Sequence, residues 1–483
     1  MTLFLGLDTG GTYTDAVLLD PAAGRVVAAG KALTTRHDLA IGLREAMEAV
    51  LAEAAAPAEA IGLVSLSTTL ATNALVEGQG SPICLLLIGY DDSALDRAGL
   101  GRVMGPDPVV HVRGGHTPAG DEREPLDLEA VTAAARRHAP QVAAFAVSGF
   151  FSVRNPAHEI AAREAVRAAT GLPVTCGHEL TARLDAPRRA LTAALNARLI
   201  PQIAALVQAI QGLLARKGIG APLMVVKGDG SLLSAAAALQ RPVETILSGP
   251  AASVVGARFL SGEAEVVVAD IGGTTTDVAL LKDGRPVLSP DGATVGGWRT
   301  MVEAIAVHTV GLGGDSEIGL EEDGLRVGPR RVVPLCLLAA RHAGVAEVLA
   351  AQHAAPRLAE AAGGFALRRR SLDTGHEALT APQAALWARL AEGPVPVAEL
   401  GGSYAARQAL RRLVDRGLVA LAGFTPTDAA HVLGLQTGWS AEAARLGAAL
   451  WLRRWREEGP RPSPDDVEAV CRAVVAAVVQ RSA

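Results

Sequence analysis

Asp8-Thr9-Gly10-Gly11-Thr12-Tyr13-Thr14-Asp15 is the stretch that decides the fold, because the chain carries it twice. The second copy, Asp270-Ile271-Gly272-Gly273-Thr274-Thr275-Thr276-Asp277, starts 262 residues later, and both read D-x-G-G-T-x-T-D. An apolar run leads into each copy (residues 3–7 and 266–269), and another leaves it (residues 13–19 and 278–281). Apolar run, glycine turn, apolar run is the pattern of a β-hairpin. The spacing is far too long for a solenoid repeat. It predicts two large lobes with one hairpin each, facing a shared cleft.

The residue types in the repeat suit phosphate chemistry. Paired glycines let the backbone bend sharply and let a phosphate reach the amide N–H groups with no Cβ in the way. Gly10, Gly11, Gly272 and Gly273 are the expected cradle, and the hydroxyls of Thr12, Thr14, Thr274 and Thr276 are expected donors. A carboxylate at each end of the turn suits hydrated Mg²⁺, a hard cation that takes a few carboxylates plus waters and phosphates. Asp8 and Asp270 are the metal candidates, with Asp15 and Asp277 beside them. A third glycine-rich turn, His308-Thr309-Val310-Gly311-Leu312-Gly313-Gly314-Asp315-Ser316, follows residues 298–307, which read as helix. Gly311, Gly313 and Gly314 are placed there as a floor for adenine and ribose. No G-x-x-x-x-G-K-[ST] occurs, so a P-loop enzyme is excluded.

Composition narrows the class. A formal net charge of −5, from 45 Lys+Arg against 50 Asp+Glu, excludes a strongly basic nucleic-acid coat. An aromatic content of 3% argues against a stacking platform for single strands. Only four of the basic residues are lysines, Lys31, Lys217, Lys227 and Lys282, which leaves few candidates for lysine-dependent steps. The four cysteines (Cys84, Cys176, Cys336, Cys471) are scattered without a CxxC, so neither a disulfide framework nor a zinc knuckle is indicated. The N-terminus lacks the basic start and cleavage site of a signal peptide, and no long uninterrupted apolar stretch reads as a membrane span. A cytoplasmic protein, without nucleic acid or membrane as partner, is expected.

Between the hairpins, strand-like and helix-like segments alternate, as in an α/β architecture. Residues 39–56, 127–138, 157–169 and 187–215 read as helices, and residues 61–67, 83–88, 142–147 and 223–226 as buried strands. Asn73 falls in a turn between two of those strands. Residues 382–391, 397–400 and 404–416 read as helix, short helix and helix, followed by a strand at 417–421, the outline of a winged helix. Arg407, Arg411, Arg412 and Arg416 fall near one face of its third helix. Over residues 361–424 eight Arg face five Asp+Glu, a mild excess that favours packing or a protein partner over DNA. In the tail, Ser440 and Ser463 read as helix N-caps, and Val467, Val470, Val474 and Val478 form an apolar stripe.

Three of these segments, 8–15, 270–277 and 311–314, resemble the two phosphate segments and the adenosine segment of the actin/sugar-kinase/Hsp70 ATPase superfamily. More narrowly, the chain resembles the hydantoinase A/5-oxoprolinase family. That match rests on Ser67-Thr68-Thr69-Leu70-Ala71-Thr72-Asn73-Ala74-Leu75, on His178-Glu179 with Arg189, Thr192 and Asn196, on Leu247-Ser248-Gly249-Pro250-Ala251-Ala252, and on His308-Thr309-Val310-Gly311. It covers roughly residues 3–330 and resumes at residues 424–434. The resemblance implies a two-lobed actin-like ATPase with ribonuclease H-like duplicated lobes and an inserted winged-helix-like module. The expected boundaries are 1–180 for the first lobe, 181–330 for the second, 331–423 for the insert and 424–483 for the segment that rejoins the second lobe. It further implies ATP and Mg²⁺ as cofactors, and opening of a cyclic amide such as a hydantoin or 5-oxoproline. In that reaction ATP phosphorylates the amide oxygen to an imidyl phosphate that water attacks. Asp15 or Asp277 would orient the attacking group, and Asn73, His178, Glu179 and His308 would face the small-molecule substrate, with His116 a further polar candidate. A second hydantoinase-type subunit and an oligomer are implied as partners. Two alternatives stand beside this reading: a small-molecule kinase or ATP-using carboxylase subunit, and a nucleotide-sensing regulatory ATPase.

Overall fold

The structure, a computed structural model, describes residues 2–10, 13–35, 39–76, 80–273, 275–321, 324–369, 379–400 and 403–482. Arg370, part of the arginine run that follows Gly363-Gly364, and residues 371–378 lie outside the described residues. The chain divides into two compact units, residues 1–268 with 279–307, and residues 269–278 with 308–483. The expected boundary after residue 180 falls inside the first unit. The 331–423 segment falls inside the second.

The first unit runs β1 (Leu3–Thr9), β2 (Tyr13–Asp20), β3 (Arg25–Leu33), α1 (Leu39–Glu53), β4 (Ile61–Thr68), α2 (Leu70–Val76), β5 (Ile83–Ile88), α3 (Leu100–Met104), β6 (Val109–Val112), α4 (Leu128–His138), β7 (Ala144–Gly149), α5 (Ala157–Thr170), β8 (Val174–Cys176), α6 (Ala186–Arg216), β9 (Leu223–Val226), β10 (Leu232–Ser234), α7 (Ala235–Gln240) and α8 (Ser248–Ser261). Two sheets form. The first has order β10-β9-β4-β1-β2-β3, with β1, β2 and β3 antiparallel and β4 and β9 parallel to β1. The second, β6-β5-β7-β8, is wholly parallel. Its strands β5 and β7 are buried at every position, as expected for a parallel sheet covered on both faces. Helix α6 packs on the second sheet and against α1, α2 and α3, with Leu191, Leu195, Leu199, Ile203 and Ile210 almost fully buried. Among the described residues α6 is the only helix long and apolar enough to cross a membrane, and 72% of its most apolar window is buried inside the protein.

Two local expectations change. Asn73 lies not in a turn but in α2, because Thr68 and Thr69 turn the chain straight from β4 into helix. Residues 298–307 are not helical: Trp298–Arg299 pairs with Thr294–Val295, and Val307–Val310 is a strand. Gly296 and Gly297, both at positive φ, make the tight turn that this pairing needs.

The second unit holds residues 269–278, from the hairpin of β11 (Val266–Ile271) and β12 (Thr276–Lys282), and the remaining C-terminal chain. A two-stranded ribbon, Ser316–Glu321 with Gly324–Arg331, precedes a sheet ordered Val333–Pro334, Val419–Gly423, Phe365–Arg368, Val395–Pro396. Helices Ala381–Arg389 and Tyr404–Asp415 and the 3-10 turn Val397–Glu399 pack on that sheet around Leu386, Leu413 and Leu418, giving the winged-helix-like order its own core. Arg407, Arg411 and Arg412 are exposed. The larger core takes in Leu312, Phe365, Phe424, Val470 and Val474, so the apolar stripe of the last helix, Val467–Ser482, is partly core. Ser440 caps its helix as expected, accepting from the N–H of Ala443. Ser463 does not cap the last helix. Asp466, adjacent to Val467, accepts from the N–H of Ala469 at 2.7 Å, and its charge suits the helix start.

Candidate functional site

Strand alternation decides what each repeat can present. In β1 the residues Leu3, Leu5, Leu7 and Thr9 point into the core, and in β2 so do Thr14, Ala16 and Leu18. Asp8 and Asp15 therefore stand on the opposite face, directly across from one another in the β1–β2 register. The row continues on both sides: Ser67 of β4 is Asp8's partner, and Lys31 of β3 is Asp15's. Ser67 Oγ donates to Asp8 Oδ1 at 2.5 Å, and Lys31 Nζ lies 2.5 Å from Asp15 Oδ1. Ser67, Asp8, Asp15 and Lys31 thus form one polar row across four adjacent strands. All four line a cavity of about 570 Å³, which the small residues Gly6, Ser65 and Ala29 leave open above the sheet. Neither Ser67 nor Lys31 was selected from the sequence. Lys31 had one signal, being among four lysines, but register alone reveals its partner.

The two turns close alike. Gly10 N–H donates to the Tyr13 carbonyl at 3.0 Å, and Gly272 N–H donates to the Thr275 carbonyl at 2.9 Å, at matching places in the repeat. Gly11, Thr12 and Thr274 lie outside the described residues. Thr14 and Thr276 are not phosphate donors. Both are buried by the strand alternation, and their hydroxyls are used internally, Thr14 with Thr34 Oγ1 at 3.0 Å and Thr276 to the Leu312 carbonyl at 2.8 Å. Around the first turn, Thr69 donates from its N–H to the Thr9 carbonyl, and Ser248, at the start of α8, bonds both the N–H and the carbonyl of Thr68. The 67–75 and 247–252 segments are therefore the scaffold of the first hairpin.

In the second unit the glycine loop sits on the second hairpin. Gly314 and Asp315 donate N–H bonds to the carbonyls of Gly272 and Gly273, at 3.2 and 2.8 Å. Gly314 is in turn held from behind, its carbonyl accepting from the N–H of Thr427 at 2.9 Å. Thr427 stands on the short helix Pro426–Val432, capped by Thr425 and the fully buried Asp428. Gly313 is buried and donates to Ser316 Oγ, while Gly311 is exposed. Asp315 pairs with Arg331 at 2.9 Å, yet burial still holds its carboxyl above the ordinary value. Asp277 is also raised, first by burial and further by the neighbouring charge of Asp270, against a 2.6 Å hydrogen bond from Thr309.

The expected substrate residues stand on separate elements. Asn73 is exposed on α2 and bonds Thr69 Oγ1. Glu179 pairs with Arg163 at 2.6 Å, and His308 is exposed in the second unit. His178 is tied to Glu159, whose Oε2 takes both its backbone N–H and its ring Nδ1. Glu159 is fully buried and its Oε1 accepts from Gly149, while the buried Cys176 donates its S–H to the Glu159 carbonyl. Burial drives the Cys176 thiol far above its ordinary pKa. The His178 Nδ1, both Glu159 carboxylate oxygens and the Cys176 thiol all bond within the protein, so the group clamps the end of β7 to residues 176–178. Asn196 and Thr192 likewise tie α6 to its neighbours, Asn196 through Thr175, Gln240 and Val243, and Thr192 by accepting from the Met301 N–H.

Two models of one family match this chain, the hydantoinase/oxoprolinase N-terminal region over residues 4–170 and hydantoinase/oxoprolinase over residues 189–348. The chain belongs to the hydantoinase/oxoprolinase family. Among family relatives, the caprolactamase subunit alpha of Pseudomonas jessenii is 34% identical over 352 residues, covering 68% of this chain and 50% of its own. The acetophenone carboxylase gamma subunit of Aromatoleum aromaticum is 30% identical over 372 residues, covering 68% and 49%. The chain thus spans about half the length of these relatives. The crystal structure of the ATP-dependent caprolactamase from Pseudomonas jessenii matches with a TM-score of 0.58 at 26% identity, over 97% of this chain and 70% of that one. The fold is that of an actin-like ATPase, with mixed α/β sheets.

Proposed function

We propose that this chain supplies the ATP-using machinery of a hydrolase that opens a cyclic amide by phosphorylating its carbonyl oxygen. The observation that carries the reading is the pair of D-x-G-G-T-x-T-D turns closed by the same hydrogen bond, with Asp8 presented on an open cavity by Ser67. An unstrained amide carbonyl is a poor electrophile, and turning its oxygen into a phosphate makes a leaving group. For such a transfer a protein contributes mainly positioning and charge neutralisation. With the Gly10 and Gly272 N–H groups closing their turns, the next N–H groups, of Gly11 and of Gly273, would receive phosphate oxygens. Asp8 is half-buried with a hard carboxylate facing the cavity, and Asp270 is exposed on β11, so both fit a hydrated Mg²⁺. Lys31 would orient the Asp15 carboxylate beside the transferring group. Gly314 and Asp315 would fix the second turn from behind.

The 30% identity to a carboxylase subunit supports a second reading, in which the same transfer activates a different carbonyl. Incubation with Mg-ATP and a panel of cyclic amides, with and without bicarbonate, separates the two. Amide-stimulated ADP release with a ring-opened amino acid supports the hydrolase. Turnover that requires bicarbonate supports the carboxylase subunit, and amide-independent turnover with no organic product overturns both.

A further inference from the structure

The parallel sheet β6-β5-β7-β8 has a feature that the nucleotide reading does not use. From β5 the chain crosses to one side, to β6, and then back past β5 to β7 and β8. Loops leaving β5 and β7 therefore part in opposite directions, and the carboxyl ends of such a strand pair are where open α/β sheets bind ligands. A cavity of about 640 Å³ lies there, lined by Arg97 and Ala98 from the chain after β5 and by Phe150 and Phe151 directly after β7. The first turn of α6, including Arg188 and Arg189, forms another wall, and Arg299 joins them. The volume suits a small molecule.

Charge and strain concentrate at this cavity. It has four arginines and one aspartate, Asp185. Arg189 is 1% exposed, donates to the Gly149 carbonyl at 2.8 Å, and leaves its buried Nε without a hydrogen-bond partner among the described residues. Among the described residues, Arg188 donates its side-chain hydrogen bonds to the carbonyls of Asp291, Arg299 and Thr300. Burial and then the repulsion of Arg299 push its pKa below the ordinary arginine value. Arg299 pairs with Asp291, but Arg97 is exposed and makes no ion pair among the described residues. Three of the non-glycine residues at positive φ, Ala98, Phe151 and Asp185, also line this one cavity. Such strain persists where the surroundings impose it, and it clusters at ligand sites.

We propose that this cavity binds a small organic carboxylate, its charge met by Arg97, Arg188 and Arg299 and its apolar body lying against Phe150 and Phe151. Guanidinium groups meet a planar carboxylate through paired N–H donors, and the start of a long helix favours an anion. The aromatic wall selects a ligand with a hydrocarbon body over a bare inorganic anion. This site stands independently of the nucleotide reading, since its residues belong to neither D-x-G-G-T-x-T-D turn.

Calorimetric titration of the full chain at low ionic strength, without ATP, tests it with hexanoate, hexanamide and inorganic phosphate. Saturable hexanoate binding is expected, with little heat from hexanamide. Arg97→Gln should weaken hexanoate about tenfold, and Arg97→Gln with Arg299→Gln further, with unfolding transitions like the wild type's. Because both side chains are exposed, these variants leave the core intact. Arg188→Gln, which removes bonds to three carbonyls, serves as a second arm only if it folds. Hexanamide binding as tightly as hexanoate, phosphate binding in place of hexanoate, no saturable binding, or equal hexanoate affinity in the arginine variants would each overturn the proposal.

Discussion

Asp8 takes its setting from its strand neighbours as much as from its motif. A carboxylate that accepts a 2.5 Å hydrogen bond from Ser67 is fixed in one orientation toward the cavity. Hydrogen bonds to charged groups contribute about 1.5–3 kcal/mol. Ser67→Ala is therefore expected to slow Mg-ATP turnover by about tenfold or more, and to lower the melting temperature by only a few degrees. A steady-state ADP-release assay beside a thermal melt checks both halves. His116 makes a different, structural prediction. It is 2% exposed, and burial together with His158 lowers its pKa, with Glu122 offsetting in part. Below the ordinary histidine value of about 6.5 the unfolded chain takes up a proton that the folded chain refuses. Its contribution to stability is therefore present above that pH and is lost as the pH falls. Urea unfolding near pH 7.5 and near pH 5.5 should show a loss on acidification that is smaller in His116→Asn.

At the scale of elements, the glycine loop of the second unit depends on one close approach. A Cβ on Gly314 would lie 2.5 Å from Thr427 Oγ1, closer than side-chain carbons pack. Gly314→Ala is expected to cost about 1–3 kcal/mol and to displace the loop from Gly272 and Gly273. Adding Thr427→Ala removes the offending hydroxyl and should restore much of that loss, a coupling that a double-mutant cycle in denaturant reads directly. The elements most legible in the sequence were those that local pattern specifies. The two hairpins, helices near 128–138 and 157–170, and strands such as Ile83–Ile88 fall where apolar periodicity places them. Errors arose where longer-range pairing overrides local composition. Residues 298–307 look helical alone, but Trp298–Arg299 finds a strand partner across Gly296 and Gly297. Ser463 is a good capping residue by type, yet Asp466 sits where the helix begins.

At the scale of the whole chain, the repeat was readable because each copy is contiguous, whereas the row Ser67–Asp8–Asp15–Lys31 joins four strands from residue 8 to residue 67. No spacing rule reveals such a row, because register is a tertiary property. The same limit hid the arginine cavity, whose walls come from residues 97 to 299. It also made Thr14 and Thr276 look like phosphate donors, since only the sheet shows which face of each strand is core. The family motifs at 178–196 brace α6 and the end of β7. In the function proposed above, the paired aspartate–glycine turns use ATP to activate a cyclic amide. The most direct measurement is the rate of ADP release with and without a cyclic amide, in the wild type, Asp8→Asn and Asp270→Asn. Amide-stimulated release by the wild type, lost in each folded variant, is the predicted result; unchanged release in both variants would contradict the account.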